Sequence, residues 1–249
     1  MLDVWIYATT SVLIVSVLAF LGILTLSFKE KTLEKILIYF IAFSAGALLG
    51  DAFIHLLPEV IEKNGFSLYI SAFLLSGIGF SFVIEKFVHW RHCHHPTSKQ
   101  HPHPLSIMNL VGDGVHNFID GIIIGASYLI SIPVGIATTL AVIFHEIPQE
   151  MSDFGILLYG GFTKTKALIT NFLIALTSIL GVIIALTLGT KSESFLLFLI
   201  PFAAGNFIYI AAADLIPELH KNSMFKESLV QLVLFLAGIL VMAALLLLE

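Results

Sequence analysis

The chain has 249 residues, 58% of them hydrophobic and only 12% charged, and its mean hydropathy is +1.00. A soluble domain of this length cannot cover its surface with so few polar groups, so the solvent for most of the chain is lipid. The net charge of −5, without a basic stripe interleaved with aromatics, excludes nucleic acid as a partner, and the single cysteine, Cys93, excludes an internal disulfide.

Apolar runs long enough to cross a bilayer as helices fall at about 5–27, 36–61, 66–88, 105–130, 133–159, 165–189, 194–219 and 227–248. They are continuous and lack the alternation of barrel strands. The expected fold is an all-α membrane protein with eight transmembrane helices, a single transmembrane domain over 1–249. No Lys or Arg precedes the first run, which is too long for a signal-peptide core and reads as a retained span. Ten of the twelve Lys and Arg flank odd-numbered connections: Lys29, Lys31 and Lys35; Lys86, Arg91 and Lys99; Lys164 and Lys166; Lys221 and Lys226. Lys63 and Lys191 flank the even ones. The positive-inside rule puts the odd-numbered loops in the cytoplasm and both termini outside an inner or plasma membrane.

Ionisable groups within spans are costly and mark sites. The second span carries Asp51 and His55, with Glu59 at its end, all toward the external side in this orientation. The third connection, at about 89–104, holds His89, His92, Cys93, His94, His95, His101 and His103 among three prolines. Such a cytoplasmic tract binds borderline metals without fixed geometry, or is a linker with incidental histidines.

The fourth span contains Gly112-Asp113-Gly114-Val115-His116-Asn117-Phe118-Ile119-Asp120-Gly121, and the fifth His145-Glu146-Ile147-Pro148-Gln149-Glu150-Met151-Ser152-Asp153. Residues four apart share a helix face, so His116 points with Asp120 and His145 with Gln149. The loop between these spans is only a few residues, which makes them antiparallel neighbours and brings both clusters to one depth. The product is a mixed nitrogen and oxygen site suited to Zn, Fe or Mn rather than Mg or Ca. Asn117 and Glu146 flank these faces and extend the set toward a second site. Pro148 has no N–H and releases the carbonyl of Phe144 from helix bonding. The alternative for such groups is interhelical hydrogen bonding, which suits Asn117 or Gln149 alone better than the His/Asp/Glu set.

Asp113 and Asp153, with Asp214 and Glu218 in the seventh span, fall on the cytoplasmic side of this site. External, midplane and cytoplasmic groups together form a cation path. Leu56-Leu57-Pro58-Glu59 closes the second span and Leu215-Ile216-Pro217-Glu218 the seventh. That echo, between helices running in opposite directions, fits three helices, a central pair and three more, related by an in-plane pseudo-two-fold.

H-N-F-I-D-G and H-E-I-P-Q-E resemble the fourth- and fifth-helix signatures of the Zrt/Irt-like (ZIP) metal transporters, nearest the branch whose fifth-helix motif is H-E-x-P-H-E. The resemblance extends to G-D-A-F-I-H-L-L-P-E at 50–59, the His-rich loop, and G-N-F-I-Y-I-A-A-A-D-L-I-P-E at 205–218. It implies uptake into the cytosol of Zn2+, or of Fe2+, Mn2+ or Cd2+, as transported substrate, with no cofactor. It also implies a 3+2+3 arrangement, homodimers, and His116, Asn117, Asp120, His145, Glu146 and Gln149 as ligands. Two positions depart from the pattern. Gln149 stands where the branch has His, and the sixth span offers Thr170, Asn171, Thr177 and Ser178 where members with a binuclear site have Glu.

Two other functions share these residues. His145-Glu146-x-x-Gln149 is one residue from the H-E-x-x-H motif of zinc proteases, although catalytic zinc needs three ligands and an open water position. A passive metal channel or an efflux protein would use the same site with different energetics.

Overall fold

In hydrocarbon no water satisfies backbone polar groups, so each apolar run closes its hydrogen bonds within itself as a helix. The computed structural model describes residues 1–27, 30–90, 104–221 and 224–248, and among these it contains helices and short connections only. We number eight helical rods. They are α1 (Leu2–Ser27), α2 (30–64), α3 (Leu68–Trp90), α4 (Pro104–Ile130), α5 (Ile132–Tyr159), α6 (Lys164–Gly189), α7 (193–220) and α8 (Phe225–Leu245).

Six of them, all but α4 and α5, contain a stretch long and apolar enough to cross a membrane. At 27 and 28 residues α4 and α5 have the same reach, about 40 Å at 1.5 Å per residue. What separates them is the polar cluster each carries near its middle. Side-chain caps mark several starts: Ser131, Thr163 and Ser192 accept from the backbone N–H groups of Val134, Lys166 and Phe195 at 3.2, 3.3 and 3.2 Å.

The packing repeats itself. α2 lies along α8 and α3 along α7; α4 lies along α6 and α1 along α5; α4 and α5 pack on each other. Exchanging α1 with α6, α2 with α7, α3 with α8 and α4 with α5 maps this set of neighbours onto itself, as an inverted repeat requires. The wide turns agree. α2 winds as a π-helix over Asp51–Leu56 and α7 over Ile210–Leu215, each just before its Pro-Glu pair. Close crossings agree as well. Gly46 lies against the carbonyl of Phe235 and Gly238 against that of Phe43, while Gly205 lies against the carbonyl of Leu74 and Gly77 against that of Phe202. Phe43, Gly46 and the π-turn of α2 precede Phe202, Gly205 and the π-turn of α7 by one constant interval. Lipid-embedded helices associate through such close backbone approach, because burying apolar surface gains little when the solvent is itself apolar.

Candidate metal centre

Only Ser131 separates α4 from α5, so the two helices run antiparallel and His116 and His145, each near the middle of its helix, meet at one depth. Their side chains converge with two carboxylates. His116 Nε2 lies 3.1 Å from His145 Nε2, 3.2 Å from Glu146 Oε1 and 3.6 Å from Asp120 Oδ2. His145 Nε2 lies 3.1 Å from Asp120 Oδ2 and 3.4 Å from Glu146 Oε1. Asp120, His145 and Glu146 are buried, and the His116 side chain is 20% exposed.

A metal held tetrahedrally at about 2.0–2.1 Å has ligand atoms about 3.3–3.4 Å apart. The five separations above bracket that edge length, and all four ligand atoms lie within 4.8 Å of one another. Tautomer chemistry fits the same geometry. His145 Nδ1–H donates to the carbonyl of Ala141 at 3.2 Å, leaving the Nε2 lone pair to face the cluster. Both oxygens of Glu146 and Oδ1 of Asp120 are buried without a hydrogen-bond partner. Lone pairs gathered this tightly repel unless a cation or protons lie among them.

The other residues expected at the site stand one layer away. Asn117 donates to Asp113 Oδ1 at 2.8 Å and Gln149 to the same oxygen at 3.4 Å, so both amides are turned toward Asp113. Asp153 accepts from Asn109 at 3.0 Å. Buried Glu150 accepts from Asn171 of α6, one of the polar residues the sixth span offers in place of a carboxylate. The carbonyl of Phe144, freed by Pro148, receives the Ser44 hydroxyl of α2 at 2.5 Å.

The path residues divide between buried and open. Asp51 is fully buried and accepts from Thr138 of α5 at 2.9 Å, and buried His55 donates from Nε2 to the carbonyl of Met242 at 2.9 Å. Asp214 is exposed, and Glu218 is half-buried and paired with Lys221 at 2.5 Å. A cavity of about 190 Å3 lined by Asp113, Asp153 and Asn109, and another of about 600 Å3 lined by His145 and Glu218, share His116, Glu85, Gln149 and Asp214 in their walls. Together they open the His/Asp/Glu cluster toward the face that carries the odd-numbered connections.

Sequence reasoning missed Glu85, which lines both cavities and accepts from the Tyr209 hydroxyl, as well as Asn109, Thr138 and Glu150. Glu85 and Glu150 are carboxylates within apolar runs, the signal that singled out the others. The histidine tract lies largely outside the described residues. His92, Cys93, His94, His95, His101 and His103 fall there, and of His89 only the helical backbone is described.

Comparison with known proteins supplies the context for this cluster. The zinc transporter zipt-7.2 of Caenorhabditis elegans is 29% identical over 96% of this chain, which spans 64% of that protein, just under two thirds. The zinc transporter ZIP13 of Pongo abelii is 32% identical over 97% of this chain and 78% of its own length. ZIP13 of Mus musculus is 29% identical over 98% and 81%. The ZIP zinc transporter family matches residues 2–106 and 103–246, and this covers every helix that builds the site. A match running from the first helix to the last, around a buried His/Asp/Glu cluster between α4 and α5, shows that the chain belongs to the ZIP zinc transporter family.

Proposed function

We propose that this protein carries divalent transition-metal ions, Zn2+ first among them, across the membrane through His116, Asp120, His145 and Glu146, toward the cytosol. The observation that carries this reading is the convergence of two imidazole nitrogens and two carboxylate oxygens at the middle of the helical bundle, with each nitrogen 3.1–3.6 Å from the other nitrogen and from both oxygens and all four atoms within 4.8 Å. Two nitrogens and two oxygens suit Zn2+, and also Fe2+, Mn2+ and Cd2+. The direction follows from the basic residues of the odd-numbered connections, which assign to the cytosol the face where the cavities open.

The ion leaves the cluster past Asp113, Asp153, Asp214 and Glu218, to which the cavity walls add Glu85. Asp51 and His55 stand on the opposite side, buried and hydrogen-bonded, which supports reading this state as closed outward and open inward. Asn117 and Gln149 act through Asp113, with their amide oxygens available to a second ion. The histidines at 89–104 receive released ions, and the protein acts as a homodimer in a plasma or inner membrane.

A protease reading finds no support. Glu146 shares the ligand cluster rather than standing beyond it as a base, and Gln149 is engaged with Asp113.

The test is uptake into liposomes loaded with a zinc-sensitive dye. His116→Ala and Asp120→Ala, each removing one of four ligands, are expected to lose Zn2+ uptake by roughly tenfold or more, since even residues behind metal ligands are worth about that much. Uptake at the wild-type rate in either variant would remove the cluster from the transport path.

A further inference from the structure

α2, α4 and α7 enclose a cavity of about 440 Å3 on the face opposite the two inward cavities. Its walls include Glu59, Lys63, Leu196 and Ile200. The larger inward cavity has Glu218, Leu37 and Ile41 in its walls. Glu59 precedes Glu218 by the interval that separates the two π-turns, and the same interval separates Leu37 from Leu196 and Ile41 from Ile200. The two cavities are therefore one structural element, occurring once on each face. The inward copy reaches His116 and His145, which are metal-cluster residues. The opposite copy stops short of them.

Behind it, polar groups continue along α2. Glu59, His55 and Asp51 recur every four residues, their exposure falling from 26% for the Glu59 side chain to 2% for His55 and none for Asp51. Asp51 bonds Thr138, two turns before His145 on α5. Ile123, Ala137, Ala141 and Ala203 of α4, α5 and α7 are buried in the same apolar core as Ala52 and Leu56 of α2. At the mouth, the ammonium of Lys63, 66% exposed, is ion-paired with the Glu59 carboxylate. A lysine on an exposed helix end is a weakly held, tethered cation in the position a divalent ion would take.

We propose that this cavity is the entrance vestibule, that Glu59 is its receiving carboxylate for a still-hydrated divalent transition-metal ion, and that Lys63 is a built-in competitor the ion displaces. The proposal rests on the transport function assigned above. The arriving ion exchanges for the ammonium at Glu59 while it keeps most of its water. Two positive charges outcompete one for the same carboxylate, and Lys63 swings into solvent on its flexible stem. Lys63 thereby sets how much metal is needed before the vestibule fills.

Initial rates of Zn2+ uptake by the full chain in liposomes, measured against Zn2+ concentration, test this. Glu59→Gln is expected to raise KM roughly two- to fivefold, and Lys63→Gln to lower it by a similar factor, the range an exposed ion pair supports. Each effect falls on KM and not on Vmax. In a Glu59→Gln background Lys63→Gln should change nothing, and Glu59→Asp, which keeps the charge, should hold KM near the wild-type value. An unchanged KM in Lys63→Gln, or a Lys63→Gln effect that persists without Glu59, overturns the proposal. So does a Glu59→Gln protein that loses Vmax at unaltered KM. Should Glu59→Gln fail to fold, Lys63→Gln and Glu59→Asp decide the matter alone. A fault in the transport reading shows separately, as undiminished uptake in His116→Ala.

Discussion

His145 shows how one hydrogen bond suits a residue to the ligand role proposed for it. With Nδ1–H given to Ala141 within its own helix, its Nε2 is left as an acceptor and the ring is fixed toward His116 and the two carboxylates. Gln149 is the contrasting case. It occupies the face that sequence spacing assigned to a ligand, yet its amide is spent on Asp113. An imidazole at that position adds a nitrogen donor and releases Asp113 from the contact. In competitive uptake of Zn2+, Fe2+, Mn2+ and Cd2+, Gln149→His is expected to raise the preference for Zn2+ and Cd2+ over Mn2+ several-fold, because nitrogen donors favour the softer ions. An unaltered ratio would place residue 149 outside the ligand shell.

Among the elements, α5 and α7 each hold a proline inside a continuous helix, Pro148 and Pro201, and Pro148 is the one next to the His/Asp/Glu cluster. Its conflict with the helix is resolved from outside. Ser44 of α2 shares its hydroxyl proton between the carbonyls of Phe40 and Phe144, at 2.7 and 2.5 Å, and so satisfies the acceptor that proline strands. Ser44→Ala is expected to cost about 1 kcal/mol, in the range of interhelical hydrogen bonds within membranes. Adding Pro148→Ala should restore stability, because residue 148 then donates to Phe144 itself. Thermal unfolding of the two single variants and the double variant in detergent measures the cycle, and additive losses would show that Ser44 acts otherwise. The π-turns of α2 and α7 are irregularities of another kind. Each inserts an extra residue into its turn and carries polar groups of the proposed path, Asp51 and His55 in one and Asp214 in the other.

For the whole molecule, the duplication makes a statement about sidedness. Asn64 lines the vestibule beside Glu59, and exposed Ala213 lines the inward cavity. In a Cys93→Ser background, which removes the single native thiol, Asn64→Cys should react with a membrane-impermeant thiol reagent applied outside. Ala213→Cys should react only when the reagent reaches the cytosolic face. Labelling of both from one side would contradict the inverted repeat and the assignment of the inward cavities alike.

Local properties carried far in this chain. Run length and hydropathy defined the helical rods, because every span must satisfy its own backbone. Helical spacing and a one-residue connection were enough to join His116, Asp120, His145 and Glu146, since all four lie on two consecutive helices. The fate of Gln149, the bond from Ser44 to Phe144, the Tyr209 contact with Glu85 and the closure around Asp51 and His55 were decided by tertiary structure alone. Each depends on which side chains face one another, in four of these contacts between helices that are not neighbours in sequence. Such lateral neighbours are set by packing of the whole bundle, at glycines where backbones touch, and leave no periodic trace along the chain. The inverted repeat lay between these extremes. Four residues echoed it in the sequence, and the paired π-turns, crossings and cavities gave the echo its physical meaning.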